Sequence, residues 1–416
     1  SITGVIANGA STANLVKAGS GTLTLSGANT YTGTTTINAG DLTVSGSLHD
    51  STAVTIASGA DYNVNASDTV ASIEGAGNIV IASSQTLTAG DGNDKTLSGV
   101  ISGAGNYIKA GSGTQTLSAS NTYTGTTQVS AGTLTVSGSG RLSDSTAVTV
   151  DSGAVYNVAV SDTVASIAGA GSITLGSNTL TSGGSDASTT FSGVISGTNG
   201  NIIKAGTGTL TLTGNNSYTG STTISAGLLK IIRDDPTSYL AATSGFTGPG
   251  NLTIESSGDD FTADIVTGTH VQLAGTALGN LIIGKTGNTR QIDLSSDITT
   301  TGTQTYNGPV RLVGGDRTVS TTNSNVIFAS TVNSDGTQRA LTVTNGTGDT
   351  TFSGAIGGSA PVKSLTITSD QLTAGAITLN GALTATLGGS SSITGVIANG
   401  ASTANLVKAG SGTLTL

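Results

Sequence analysis

The stretch Asn14 to Ser47, NLVKAGSGTLTLSGANTYTGTTTINAGDLTVSGS, recurs as Asn106 to Ser139, NYIKAGSGTQTLSASNTYTGTTQVSAGTLTVSGS, and again as Asn201 to Ile231, NIIKAGTGTLTLTGNNSYTGSTTISAGLLKI. A fourth copy begins at Asn405 and runs to Leu416. Inside each copy, runs such as Leu23-Thr24-Leu25, Thr36-Ile37 and Leu42-Thr43-Val44 are separated by Gly, Asn or Ser-Gly, the period-2 pattern of short half-buried strands. Strands of roughly three to five residues do not hold together as isolated hairpins, but coiling lets each pair in parallel with the strand one turn below, about 4.8 Å away. Repetition of a unit that cannot bury its own apolar face therefore predicts an all-β chain stacked into an elongated parallel solenoid.

Helix formers are scarce: Glu occurs only at Glu74 and Glu255, Met and Trp are absent, and no window keeps helical apolar spacing for three turns. The 63 glycines, 35% hydrophobic and 9% charged content exclude a charged disordered polymer. No run of 18 apolar residues occurs, so membrane insertion of this segment is not expected. The net charge of −9, with 14 basic residues scattered singly, makes nucleic acid an unsuitable partner, because phosphate binding needs a basic patch. With no Cys there are no disulfides, no thiol chemistry and no Cys-based metal sites. No signal peptide stands at Ser1, so any targeting segment is expected outside this sequence.

Two scales of repetition organise the chain. Ser1 to Leu25, SITGVIANGASTANLVKAGSGTLTL, is identical to Ser392 to Leu416, a period of 392 − 1 = 391 residues. Within it, Asn14 to Asn106 is 92 residues (106 − 14) and Asn106 to Asn201 is 95 (201 − 106). SDTVASIEGAG from Ser67 matches SDTVASIAGAG from Ser161, and a Gly-Val-Ile step recurs at Gly4, Gly99, Gly193 and Gly395. We divide the chain into residues 1–232 with the motif copies, a more irregular continuation at 233–391, and 392–416 as the start of the next period. All four prolines and five of the six arginines lie in the middle division, and Asp234-Asp235-Pro236 is the expected junction, since paired acids before Pro stop a ladder.

The stretch GTGTLTLTGNNSYTGSTTISAG, Gly206 to Gly227, with its sisters from Gly19 and Gly111, resembles the passenger-associated transport repeat of bacterial autotransporters and giant surface adhesins. TTTGTQTYNGPVRL from Thr299 and TFSGAIGGSAPVKSLTIT from Thr351 are similar to repeats of giant bacterial exoproteins. The resemblance implies a right-handed parallel β-helix, export to the bacterial cell surface, and an adhesive or structural role. At roughly 20 to 25 residues per coil it also implies an elongated rod, about 75 to 95 Å for the 391-residue period. The expected partners are further copies of the chain, in tandem or head to tail, with a host or surface glycan or protein as the alternative.

Candidate sites follow from what recurs. Asn29, Asn121 and Asn216 precede Tyr31, Tyr123 and Tyr218 at the same place in each copy. They are read as turn residues that tolerate left-handed backbone geometry and bond their own backbone, followed by an aromatic covering the corner, with a carbohydrate-stacking Tyr stripe as the alternative. Lys17, Lys109, Lys204 and Lys408 recur within [VI]-K-A-G and are read as solvated corner lysines. Asp91, Asn93 and Asp94, in AGDGNDKTL, resemble one turn of a calcium-binding nonapeptide repeat and are read as a loop, with weak calcium binding as the alternative. No other cofactor is expected. Histidines occur only at His49 and His270, neither recurring, so His-based catalysis is not indicated. The one enzymatic alternative is a polysaccharide-degrading cluster of Asp259, Asp260, Asp264, Asp293 and Arg290; near-identical tandem copies argue against it.

Overall fold

The computed structural model describes residues 1–236, 245–273 and 278–416. The described residues form two compact units, Ser1–Gly208 and Thr209–Leu416, each a parallel β-solenoid without a helix. In Ser1–Gly208 one ladder runs through Leu15–Lys17, Thr35–Ile37, Ala53–Ile56 and Ser72–Gly75 and continues up to Val194–Ser196. Every step is parallel and in register, as in Leu15↔Thr35 and Thr35↔Val54. The alternation read from sequence sets which side chains face in: in Gly40–Val44, Leu42 and Val44 are buried while Thr43 between them is not. Each coil thus buries aliphatic side chains worth roughly 1.5–3 kcal/mol apiece.

In Thr209–Leu416 the coils are less even. The step from Val155 to Ser172 in the first unit takes 17 residues (172 − 155), whereas Leu252 to Leu281 in the second takes 29 (281 − 252). The strand register survives the longer step: Leu252, Thr253 and Ile254 pair with Leu281, Ile282 and Ile283. The acid-Pro step does not break the stack: Leu228–Ile232 pairs with Asn251–Glu255 residue for residue across it. A short strand needs only its neighbours one coil away, so residues between coils do not decide where a ladder ends. In the core of this unit Tyr306, Phe328 and Phe352 occupy equivalent register positions and stack, with centroids 5.1 and 4.8 Å apart. Beside them Gln304, fully buried, donates to Ser320 O (2.7 Å) and accepts from the Tyr306 hydroxyl (2.6 Å).

Candidate functional site

The residues that recur in the motif lie inside the coils. Asn29 Oδ1 accepts the Ile6 N–H (3.0 Å), while its Nδ2 donates to Gly27 O (3.0 Å) and Ser47 O (2.9 Å). Asn121 repeats this with the Ile101 N–H (2.9 Å), Ala119 O (3.0 Å) and Arg141 O (2.7 Å). One side-chain amide therefore ties the coil below, its own coil and the coil above. Asn29, Asn121 and Asn216 do not use the left-handed backbone they tolerate; Ser84, Asp186, Asn199 and Asn323 do. The amide is needed for its hydrogen-bonding capacity, one acceptor and two donors, which no other side chain of that size supplies.

Tyr31, Tyr123 and Tyr218 are buried, and each hydroxyl meets a threonine four residues on, at Thr35, Thr127 and Thr222 (2.5, 2.5 and 2.6 Å). Their ring faces are inside the stack and offer nothing for a sugar to stack on. Lys17, Lys109 and Lys204 correct the solvated reading. They are 5%, 1% and 1% exposed. The Lys109 ammonium donates to Ala110 O, Gly111 O (2.9 Å) and Ala131 O (3.1 Å), the last in the next coil. Burial lowers the pKa of Lys109 and Lys204. No acid stands beside these lysines in sequence because their acceptors are main-chain carbonyls.

Asp91, Asn93 and Asp94 spend their side chains on their own loop and on the next coil. Asp91 Oδ1 accepts the Asn93 N–H (2.7 Å), and Asp94 Oδ1 accepts the Thr114 N–H of the next coil (2.7 Å). Asp186 does the same for Thr207 (2.6 Å), as does Asp234 for Ser257 (2.7 Å). These backbone bonds lower the pKa of Asp94, Asp186 and Asp234. Among the described residues no group of three or more His, Cys, Asp or Glu is arranged to hold a metal ion.

Two carboxyls that sequence reading passed over are the acids of the first unit whose pKa burial raises. Asp68 and Asp162 sit in the repeated SDTVAS stretch, buried, each accepting a tyrosine hydroxyl: Tyr62 for Asp68 (2.7 Å) and Tyr156 for Asp162. Desolvation raises both, Asp68 to about 6. A carboxyl with a raised folded pKa stabilises fully below the unfolded value and loses that contribution as pH rises through the folded one. For Asp68 this predicts a loss of about 3 kcal/mol between pH 4 and pH 7. Below about pH 4 the lowered carboxylates, Asp94 and Asp186, act in the opposite sense, being lost as they protonate. Denaturant unfolding at a series of pH values is expected to peak near pH 4, and Asp68→Asn is expected to flatten the fall above it. An unchanged slope in that variant would assign the effect elsewhere.

Of the proposed acidic cluster the structure unites only part. Asp293, buried, is clamped by Arg311 through Nε (2.9 Å) and Nη2 (2.6 Å), and Asp264 lies 3.8 Å from the same guanidinium. Asp335 is held by Arg339 (3.2 and 3.3 Å), which lowers its pKa. Asp260 instead caps the Thr289 N–H, Arg290 Nε donates to Phe261 O (3.2 Å), and Asp259 is exposed away from the pairs. Asp264, Arg290, Arg311, Asn333 and Asp335 line an open groove of about 500 Å³. The Asp335 carboxylate of the groove is engaged by the Arg339 guanidinium, and Arg311 is engaged by Asp293 beneath it; what the groove offers is a hydrogen-bonding surface. His49 and His270 each accept a nearby backbone N–H, from Ser51 (3.1 Å) and Val266 (3.0 Å).

The recurrent polar residues close the chain's own coils, and the segments that carry them are passenger-associated transport repeats. The passenger-associated-transport-repeat family matches residues 15–44, 108–136, 202–231 and 406–416, the four motif copies. The chain is similar to the adhesin BmaC autotransporter of Brucella suis biovar 1, 34% identical over 330 residues, covering 73% of this chain and 9% of that protein. The chain therefore spans about a tenth of this relative's length. No solved structure matches.

Proposed function

We propose that this chain is a structural segment of a bacterial surface-exposed passenger, a β-helical spacer that carries other regions away from the cell and stacks with further copies of itself. The observation that carries the reading is the use of the recurrent polar residues. Asn29, Asn121, Tyr31, Tyr123, Lys17 and Lys109 all close hydrogen bonds within or between coils. What the repeat preserves is stacking, and the reading needs no cofactor and no reaction.

Direct adhesion is the second reading, favoured by the charged groove around Arg311. Display of one, two or three tandem copies on a non-adherent bacterium tests both. An epitope tag beyond the segment is expected to move outward with copy number in immunogold images, with no gain of binding to host cells or glycan arrays. Saturable binding that Arg311→Ala abolishes would overturn the spacer reading in favour of adhesion.

A further inference from the structure

One face of the second unit keeps a single surface chemistry over consecutive coils. Thr318, Thr342, Thr366 and Thr384 stand in register, and so do Ser320, Thr344, Thr368 and Thr386, two residues further along the same strands. All eight are half-buried or exposed, and the residues between the two columns, Val319, Val343, Ile367 and Ala385, are buried beneath them. Strand geometry fixes the spacing at about 4.8 Å from coil to coil and about 6.6 Å from column to column. The face is a flat lattice of hydroxyls and methyls.

Other ladders do not keep it. The neighbouring one in the same unit sets Thr305, Ile327, Thr351 and Thr373 side by side, and another carries Asp293, Arg311 and Asn333 at the middle of its strands. In the first unit the series Thr22, Asp41, Asp61 and Asn78 brings in two carboxylates. On the lattice, by contrast, charge is confined to the margins. Asp316 and Lys363, 3.2 Å apart, and Asp370 lie just outside the strands, and Arg317 is turned to Leu294 O (2.9 Å). The Ser320 hydroxyl meets that of Thr299 (2.8 Å). The other seven hydroxyls, unlike those of Thr35 and Thr127, meet no protein partner among the described residues.

Such a face suits a ligand that is itself flat, uncharged and periodic. It offers no aromatic ring to stack on a sugar and no charge to orient a protein, whereas a neutral lattice complements a neutral surface. Threonine is stiff about its first side-chain bond, so the ladder sets the hydroxyls in place before any ligand arrives. The two spacings are close to the oxygen repeats on the prism face of ice. From this we infer that the Thr318–Thr386 face binds ice, its hydroxyls taking the positions of lattice water oxygens and its methyls holding the water between them in an ordered layer. The inference goes beyond the spacer reading and does not depend on it.

Slow freezing of a dilute solution of the full chain, together with an inert globular protein, divides both between ice and residual liquid. The chain is expected in the ice at about tenfold the level of the inert protein, because the lattice positions bind together. Thr342→Lys and Thr366→Lys raise a charged side chain at the centre of the lattice and are each expected to return the chain to the liquid. Thr368→Tyr breaks the flatness with a residue that strands favour, and is expected to do the same. Thr351→Lys, on the neighbouring ladder, is expected to leave the chain in the ice, with circular dichroism reporting the same fold throughout. Equal partition of the chain and the inert protein would overturn the inference, as would ice uptake that survives all three lattice substitutions or is lost equally in Thr351→Lys. Concentration-dependent self-association lost in the lattice variants, without ice uptake, would also overturn it and give the face to a second copy of the chain.

Discussion

Asn121→Asp is expected to destabilise the first unit more than Asn121→Ala, although Asp matches Asn in shape. The native amide donates to Ala119 O and Arg141 O and accepts from the Ile101 N–H. Alanine leaves the Ile101 N–H without its acceptor in a site 5% exposed, while Arg141 O keeps the Asn121 N–H and Ala119 O keeps the Arg141 N–H, a cost of about 1–3 kcal/mol. Aspartate keeps the acceptor but turns an anionic oxygen toward two carbonyl oxygens. The cost rises to about 3–5 kcal/mol at pH 7, with part of it recovered as the carboxyl protonates at low pH. Because a solenoid opens coil by coil, hydrogen exchange is the suitable measurement. Protection is expected to fall first at Ile101 and at strands Thr114–Leu117 and Thr133–Val136. Equal loss in the two variants would mean that the side chain only fills space.

Gly99→Ala is the second large effect, and it has an internal control. A Cβ on Gly99 would stand 1.7 Å from Gly77 O and 2.4 Å from Gly77 C, main chain of the adjacent coil. Relief requires the two coils to separate, weakening the bonds from Val100 N to Asn78 Oδ1 (3.0 Å) and from Ile79 N to Val100 O (2.9 Å). The expected cost is about 3–5 kcal/mol. Gly4 occupies the same motif position but has nothing within 4 Å of its Cβ, so Gly4→Ala is expected to be nearly silent. Gly395, in the sequence identical to that around Gly4, meets Ala376 N at 2.4 Å and is expected to behave like Gly99. Equal thermal shifts from Gly4→Ala and Gly395→Ala would refute the coil order.

The strands were the legible part of this fold. Alternation in Leu42-Thr43-Val44 states which residues face in, and the motif spacing places its copies, because both depend on neighbours two residues away or on repetition along the chain. Polar partners were not legible. Lys17 meets Ala39, Asn29 meets Ile6 and Ser47, and Arg311 meets Asp293, each across a coil boundary. Coil length varies from 17 to 29 residues, so no fixed offset reveals such pairs. Asp68 and Asp162 carried one usable signal: an acid at the same place in the repeated Ser-Asp-Thr-Val-Ala-Ser stretch, with a tyrosine six residues earlier in each copy.

The Asn29 and Asn121 amides reach one coil down and one coil up and no further. The bonds of each such amide are therefore complete once its two neighbouring coils are in place, whatever lies beyond them. Recombination between near-identical gene repeats that adds or removes a whole unit leaves every surviving amide with its partners. The number of coils is then a trait that changes without redesigning a core.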